Sequence, residues 1–395
     1  MRCLLAFDKF KDCLTAREVC GTARNLLKEE LPGSSVAEAP LTDGGEGFCG
    51  ILTRAGRGRF ESQAVRGPLG EETDARLGFV SAAVLSDETR KIANLPATGE
   101  IALIEMAAAA GLEQVPPESR NPSQTTTYGV GELLARAAED EAAAILLGVG
   151  GSATHDLGLG ALGALGLRFL DESGEEMDLP RPAEWGRLAS LEGELEALPP
   201  LRIACDVDNP LLGPRGAAAA FGPQKGLPVE EVEDLDGETA RVARLLAARC
   251  GVGEDAFDAP GAGAAGGIAC GLSIACGGSL VPGYALASSW LGLPEKMAEA
   301  DVVFTGEGRF DATSLQGKGP GRIVEEADRA GKPVYLFAGS ADPEIVRQAE
   351  SRFPSLRALT FGRDNLSLDE NLHCGDQFFE HALLKLIEEE EWTKS

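Results

Sequence analysis

The stretch Ala300-Asp301-Val302-Val303-Phe304-Thr305-Gly306-Glu307-Gly308-Arg309 runs from an apolar core straight into a glycine-rich, charged segment. It predicts a buried strand, Val302–Thr305, whose carboxyl end opens into a loop. Beyond it the pattern alternates regularly. A helix over 319–330, a strand Pro333–Ala338, a helix over 342–352 and a strand Leu356–Phe361 lead to a last helix, opened by Ser367 with Glu370 as its capping box. The start of the chain reads the same way, with strand Cys3–Phe7, a helix capped by Thr15 and Glu18, and extended residues Val36–Leu41. The economical architecture is α/β: one Rossmann-like (flavodoxin-like) three-layer domain built from residues 1–60 and 295–395, with 61–294 inserted as a second α/β domain.

The middle of the chain has a different texture. Turn signals at Gly67-Pro68-Leu69-Gly70 and Pro96-Ala97-Thr98-Gly99 predict hairpins, and apolar runs predict strands at Ile101–Ala107, Ala143–Val149 and Leu201–Val207. Helices are expected at Gln124–Asp140 and Pro228–Cys250, while 261–278 reads equally as small-residue helix or loop.

Length and charge narrow the function. A chain of 395 residues exceeds what one core normally serves, so two domains are expected. A net charge of −27 argues against binding nucleic acid or an anionic membrane surface, since both require an extended basic face. Nine scattered cysteines without a C-x-x-C pair suit reduced thiols, three separated histidines do not suit a zinc site, and no apolar run approaches a membrane span. A cytoplasmic protein is expected.

Four segments join glycine to charge: Thr42–Gly47 (TDGGEG), Gly148–Asp156 (GVGGSATHD), Asp206–Lys225 and Thr305–Lys318 (TGEGRFDATSLQGK). Each begins at or just after the carboxyl end of a predicted strand, where α/β folds bind ligands. No Walker A pattern occurs, and the G-x-G-x-x-G at Gly261–Gly266 follows Asp258-Ala259-Pro260 instead of a strand, which speaks against a dinucleotide fingerprint. Phosphoryl transfer needs carboxylates for Mg²⁺, cations and amides for phosphate, and a base at the accepting hydroxyl. The loops carry Asp8, Asp43, Glu46, Asp156, Asp206, Asp208, Glu307 and Asp311 as carboxylates, and Lys9, Lys11, Arg215, Lys225, Arg309 and Lys318 as cations. Over Leu201–Asp208 the alternation predicts one strand with Asp206 and Asp208 on the same face, where their side chains could converge on one cation.

Taken together these residues resemble the type I glycerate kinase family over nearly the whole chain. The resemblance rests on Asp8-x-Phe10-Lys11, Asp43-Gly44-Gly45-Glu46-Gly47, Glu105-Met106-Ala107-Ala108-Ala109, Arg120-Asn121-Pro122 and Gly150-Gly151-Ser152-Ala153-Thr154 with Asp156. It continues in Ala204-Cys205-Asp206-Val207-Asp208-Asn209-Pro210-Leu211, Arg215–Ala218, Phe221–Gly226 and Thr305–Arg309 with Asp311, Gly317, Lys318 and Pro320. Lys9, His155, Leu157 and the pair Thr313-Ser314 depart from the family's usual residues. The resemblance implies an interdomain active site, ATP with Mg²⁺ as cofactors, and glycerate as the phosphoryl acceptor, with 2-phosphoglycerate favoured over 3-phosphoglycerate.

On this reading Asp206 and Asp208 hold Mg²⁺ or act as base, and Lys11, Arg309 and Lys318 neutralise phosphate and carboxylate charge. The binding set is Asp8, Asp43, Gly44, Gly45, Glu46, Gly150, Gly151, Ser152, Thr154, Asn209, Lys225, Glu307 and Asp311, with the loops at Gly44 and Gly150 supplying backbone donors. The expected partners are small molecules only, and the protein is a monomer or homodimer. The alternatives are a kinase of another small hydroxy acid such as tartronate, and a non-catalytic small-acid binding protein.

Overall fold

A computed structural model describes residues 1–315 and 319–392. The chain divides into two compact units, Met1–Thr42 with Ala287–Ser395, and Asp43–Leu286. The passage into the second unit thus comes at Thr42, before the helix Phe48–Ala55, where the sequence suggested residue 60, and the return comes at Ala287 where it suggested 295. In chain order the strands are β1 (Arg2–Phe7), β2 (Ser35–Glu38), β3 (Arg59–Arg66), β4 (Glu72–Ser81), β5 (Glu100–Glu105), β6 (Ala144–Gly148) and β7 (Arg168–Asp171). They continue as β8 (Glu176–Met177), β9 (Leu188–Glu192), β10 (Leu201–Ala204), β11 (Ser279–Val281), β12 (Val302–Phe310), β13 (Val334–Ala341) and β14 (Leu356–Thr360).

The first unit holds a five-stranded parallel sheet in the order β14-β13-β12-β1-β2. Its central strands are buried on both faces, which explains why β1 reads as an unbroken apolar run instead of an alternating one. Helix Ala16–Glu30 carries the expected Thr15–Glu18 capping box, and helix Leu368–His373 the expected Ser367–Glu370 one. On one face Phe7, Phe10, Phe337 and Phe379 meet mainly edge to face, with centroids 5.3–6.2 Å apart. From β1 the chain crosses to β2 on one side, and from β12 to β13 on the other. The strand order therefore reverses between β1 and β12, and their carboxyl ends form the switch point at which open α/β sheets bind ligands.

In the second unit a six-stranded mixed sheet runs β11-β10-β6-β5-β4-β3, with a small β8-β7-β9 sheet beside it in sequence. The hairpin expected at Gly67–Gly70 joins antiparallel β3 and β4, and β4 pairs antiparallel with β5 after the turn at Gly99. Strands β5, β6, β10 and β11 are parallel. The core around Ile104, Leu147 and Ile203 lies between this sheet and helices that include Tyr128–Glu139, Val232–Cys250 and Ile268–Cys276.

Several strand boundaries differ from expectation by a few residues, and two of the differences matter for the site. β10 stops at Ala204, not Val207, because its neighbour β11 ends at Val281 and the ladder partners run out there. Asp206 and Asp208 therefore lie in irregular backbone, not on one strand face. β12 instead runs on to Phe310, pairing Glu307 with Ala338 and Arg309 with Ser340. Gly306 permits that extension, since a Cβ there would stand 2.2 Å from the Phe337 carbonyl oxygen.

Candidate functional site

The switch point of the first unit collects carboxylates. Asp8 follows β1, its backbone N–H donates to the Gly306 carbonyl at 3.0 Å, and its Oδ1 accepts from the Lys9 backbone at 2.7 Å. Glu307 lies on the adjoining strand, half-buried. Burial, together with the charges of Asp8 and Asp311, lifts its carboxyl from the ordinary 4.5 to about 7, against a Ser314 hydrogen bond that pulls it down. Its Oε1 is buried without a hydrogen-bond partner among the described residues. Asp311 behaves oppositely: the Thr313 hydroxyl and backbone at 2.7 and 2.9 Å hold its carboxyl below the usual range. The Thr313-Ser314 pair that departs from the family pattern thus supplies polar contacts to both acids.

Of the three cations expected to neutralise ligand charge, two lie at the periphery of this end. Arg309 is 76% exposed, with its Nε 3.4 Å from Asp311, and Lys11 is exposed, its backbone packed beside Gly308. Lys318 lies outside the described residues. Gly319, at φ 42°, would place a Cβ 3.1 Å from Asp8 Oδ2, so the start of helix Gly319–Arg329 closes onto the same carboxylate.

In the second unit the loops after β5, β6 and β10 come together. Gly44, at φ 104°, leaves no room for a Cβ, which would stand 2.5 Å from the Ala204 carbonyl oxygen, and a Cβ on Gly150 would meet Gly45 Cα at 2.4 Å. Several of the amides expected to face a ligand are used internally. Gly45 donates to Asp43 Oδ1 at 3.2 Å, Gly150 to the Gly44 carbonyl at 3.0 Å, and Gly47 to Glu105 Oε1 at 3.0 Å. Glu105, whose Oε2 also accepts from the Cys49 amide at 3.2 Å, sits on the amino end of helix Phe48–Ala55 and satisfies donors that would otherwise be orphaned. The motif around Glu105 was visible in the sequence, but nothing in it signalled a cap for a helix 56 residues upstream.

The loop Gly150–Asp156 is held from behind. Asp156 is buried and accepts four hydrogen bonds, from the Thr127 amide and hydroxyl at 2.7 and 2.8 Å and from the Gly158 and Gly160 amides at 3.1 Å. It pins two helix starts. His155, one of the departures from the family pattern, is fully buried with its Nε2 2.9 Å from the Thr239 hydroxyl. Thr239 donates its own proton to the Leu235 carbonyl at 2.6 Å, so the imidazole must donate through Nε2. Burial pushes that ring's pKa down to about 3, which keeps it neutral. Lys225 is also buried, its Nζ 2.7 Å from both Ser152 Oγ and the Thr154 carbonyl.

Asp206 and Asp208 go to different partners. Asp206 Oδ2 accepts from the Tyr284 amide at 2.7 Å, at the start of helix Gly283–Trp290, whereas Asp208 is 79% exposed and meets Arg215 at 3.3 Å. Asn209 turns inward to its own loop, its Nδ2 donating to the Arg215 carbonyl at 2.8 Å. Asp43 is exposed beside the half-buried Glu46, and Gly151, at φ 72°, turns the β6 loop toward Ser152. Among the described residues no three His, Cys, Asp or Glu side chains gather as a ready-made metal cage. No described helix is long and apolar enough to cross a membrane.

Residues 3–387 match the family model described as the glycerate kinase family. The chain is 35% identical to the glycerate kinase of Halalkalibacterium halodurans over 399 residues, covering 99% of each chain. It is 36% identical to the glycerate 2-kinase of Escherichia coli K12 over 352 residues, 87% of each. Among solved structures, a Salmonella typhimurium LT2 chain designated as a candidate glycerate kinase 2 superposes with a TM-score of 0.71 at 34% identity, covering 99% of both chains.

Proposed function

We propose that this chain, which belongs to the glycerate kinase family and is a phosphotransferase acting on an alcohol group, transfers the γ-phosphoryl group of ATP to the 2-hydroxyl of D-glycerate. The observation that carries the choice of acceptor is the similarity, over 87% of both chains, to the E. coli glycerate 2-kinase. Lysine and arginine in the loops suit an acid substrate over a neutral polyol, because charge-assisted hydrogen bonds to a carboxylate are stronger than those to a hydroxyl.

Mg²⁺ would accompany the nucleotide and would supply charge neutralisation during transfer. Asp8 and Glu307 suit it better than Asp206 and Asp208. Glu307 keeps a buried carboxylate oxygen without a hydrogen bond among the described residues, next to a second acid, and a divalent cation would relieve both the burial and the repulsion. Asp208 is turned out to Arg215. Asp206 is left as the base at the accepting hydroxyl, held in place by the Tyr284 amide. Lys11, Arg309 and Lys318 serve the phosphates, and Ser152 and Thr154 the ligand at the β6 loop.

Purified protein given Mg·ATP is expected to release ADP with D-glycerate, and phosphorus NMR of the product should show 2-phosphoglycerate. Equal turnover of glycerol would refute acid recognition, and faster turnover of tartronate than of D-glycerate would move the assignment to that acid.

A further inference from the structure

We propose that Lys225 is a positioning residue that acts through Ser152: by donating to Ser152 Oγ it turns that hydroxyl's own proton toward an anionic oxygen of the ligand. The proposal rests on the phosphotransferase reading above, and deepens it by saying how the β6 loop recognises charge.

Lys225 is only 4% exposed and Ser152 7%, so the ammonium is not a surface cation that happens to pass the loop. An ammonium has three donors and no acceptor. Its bonds to Ser152 Oγ and the Thr154 carbonyl, both 2.7 Å, fix the serine as acceptor on that side. The Ser152 proton must then point elsewhere, and among the described residues no acceptor takes it. Two residues on, Thr154 Oγ1 is fully buried and likewise has no partner among the described residues. The same loop thus presents one directed donor and one unsatisfied hydroxyl.

The cost of this arrangement argues for a use. Burying an ammonium without an ion pair is expensive, and a methionine would fill similar space at no such cost. Asp156 is the nearby acid, but its oxygens are engaged by Thr127, Gly158 and Gly160, and it reaches Lys225 only through space. Burial accordingly lowers the lysine from 10.5 to about 7, so the all-donor ammonium that directs the Ser152 proton is the form that prevails below about pH 7, and an anionic ligand facing the loop favours it. A purely structural stitch from 225 to 152 would need only a neutral donor. The positive charge also raises the acidity of the serine proton it faces away from, which strengthens a bond to phosphate or carboxylate oxygen.

The test measures kcat, KM for ATP, KM for glycerate and Tm in wild type, Ser152→Ala, Ser152→Thr, Lys225→Met and the double variant Ser152→Ala/Lys225→Met. Ser152→Ala should raise one KM about 5- to 20-fold, as expected for one lost hydrogen bond to a charged group, and Ser152→Thr should restore it. A rise for ATP identifies phosphate, and a rise for glycerate identifies carboxylate. Lys225→Met should raise the same KM, and the double variant should be no worse than Lys225→Met beyond about 2-fold, since coupled residues are not additive. Lys225→Met that lowers Tm with both KM values unchanged, or effects that multiply in the double variant, would overturn the proposal.

If Lys225→Met does not fold, Lys225→Gln takes its place, keeping a donor but not the charge. A KM between those of wild type and Ser152→Ala is expected, and one above Ser152→Ala overturns the proposal. If folded wild type releases no ADP with D-glycerate, the substrate reading fails on its own. ATP and D-glycerate affinities are then read by calorimetry, and Kd values for both unchanged by Ser152→Ala overturn the proposal separately.

Discussion

In the proposed reaction Glu307 and Asp206 would carry the most chemistry per residue, and they make opposite demands. Glu307 binds protons more tightly in the folded state, so between its ordinary 4.5 and about 7 the folded protein loses stability as pH rises. One pKa unit corresponds to about 1.4 kcal/mol. In metal-free solution the Tm of wild type should therefore fall relative to Glu307→Gln between pH 5 and pH 8, and added Mg²⁺ should narrow the gap. The same variant should raise the Mg²⁺ concentration for half-maximal ADP release several-fold, and an unchanged requirement would exclude Glu307 as a metal ligand. Asp206→Asn retains an oxygen for the Tyr284 amide but not the charge. It should lower kcat by at least ~10²-fold, the scale of a lost general base, with little change in Tm or Mg²⁺ requirement. Near-parental kcat would remove Asp206 from the chemistry.

At the scale of elements, the glycine loops serve packing as much as binding. Sequence reading assigned Gly44 and Gly150 to ligand amides, since a glycine beside charge at a strand end signals close approach to something. The structure brings two loops of one chain to that distance, and the Gly150 amide goes to the Gly44 carbonyl. Gly44→Ala would need both a strained φ of 104° and space occupied by the Ala204 carbonyl, so a loss of at least ~2 kcal/mol is expected in urea unfolding. Glu105→Ala strips the acceptor from the Gly47 and Cys49 amides, and should cost about 1–3 kcal/mol by the same measurement. A neutral outcome for either would mean that the loop relaxes without its cap.

For the whole molecule, connectivity separates the two units unequally. The unit Asp43–Leu286 is one continuous stretch with its own six-stranded sheet and core. Residues 43–286 expressed alone should unfold cooperatively by circular dichroism. Residues 287–395 alone should not, because β12 would lack β1, its partner from the start of the chain. The net charge of −27 acts at this scale too. Long-range repulsion of anionic substrates is screened by salt, so kcat/KM should hold or rise from low to moderate ionic strength, and a steep fall would reveal a dominant basic funnel.

Local patterns in the sequence were enough for the parallel sheet of the first unit, both capping boxes, the β3–β4 hairpin and the family itself, because each depends on periodicity or on residues close together in the chain. The end of β10, the extension of β12 and the partners of Asp206, Asp208, Glu105 and Lys225 were decided only by tertiary structure. A strand ends where its neighbour's ladder ends, and a carboxylate or ammonium takes whatever donor or acceptor the fold delivers from 56, 73 or 78 residues away. Spacing along the chain does not encode those distances.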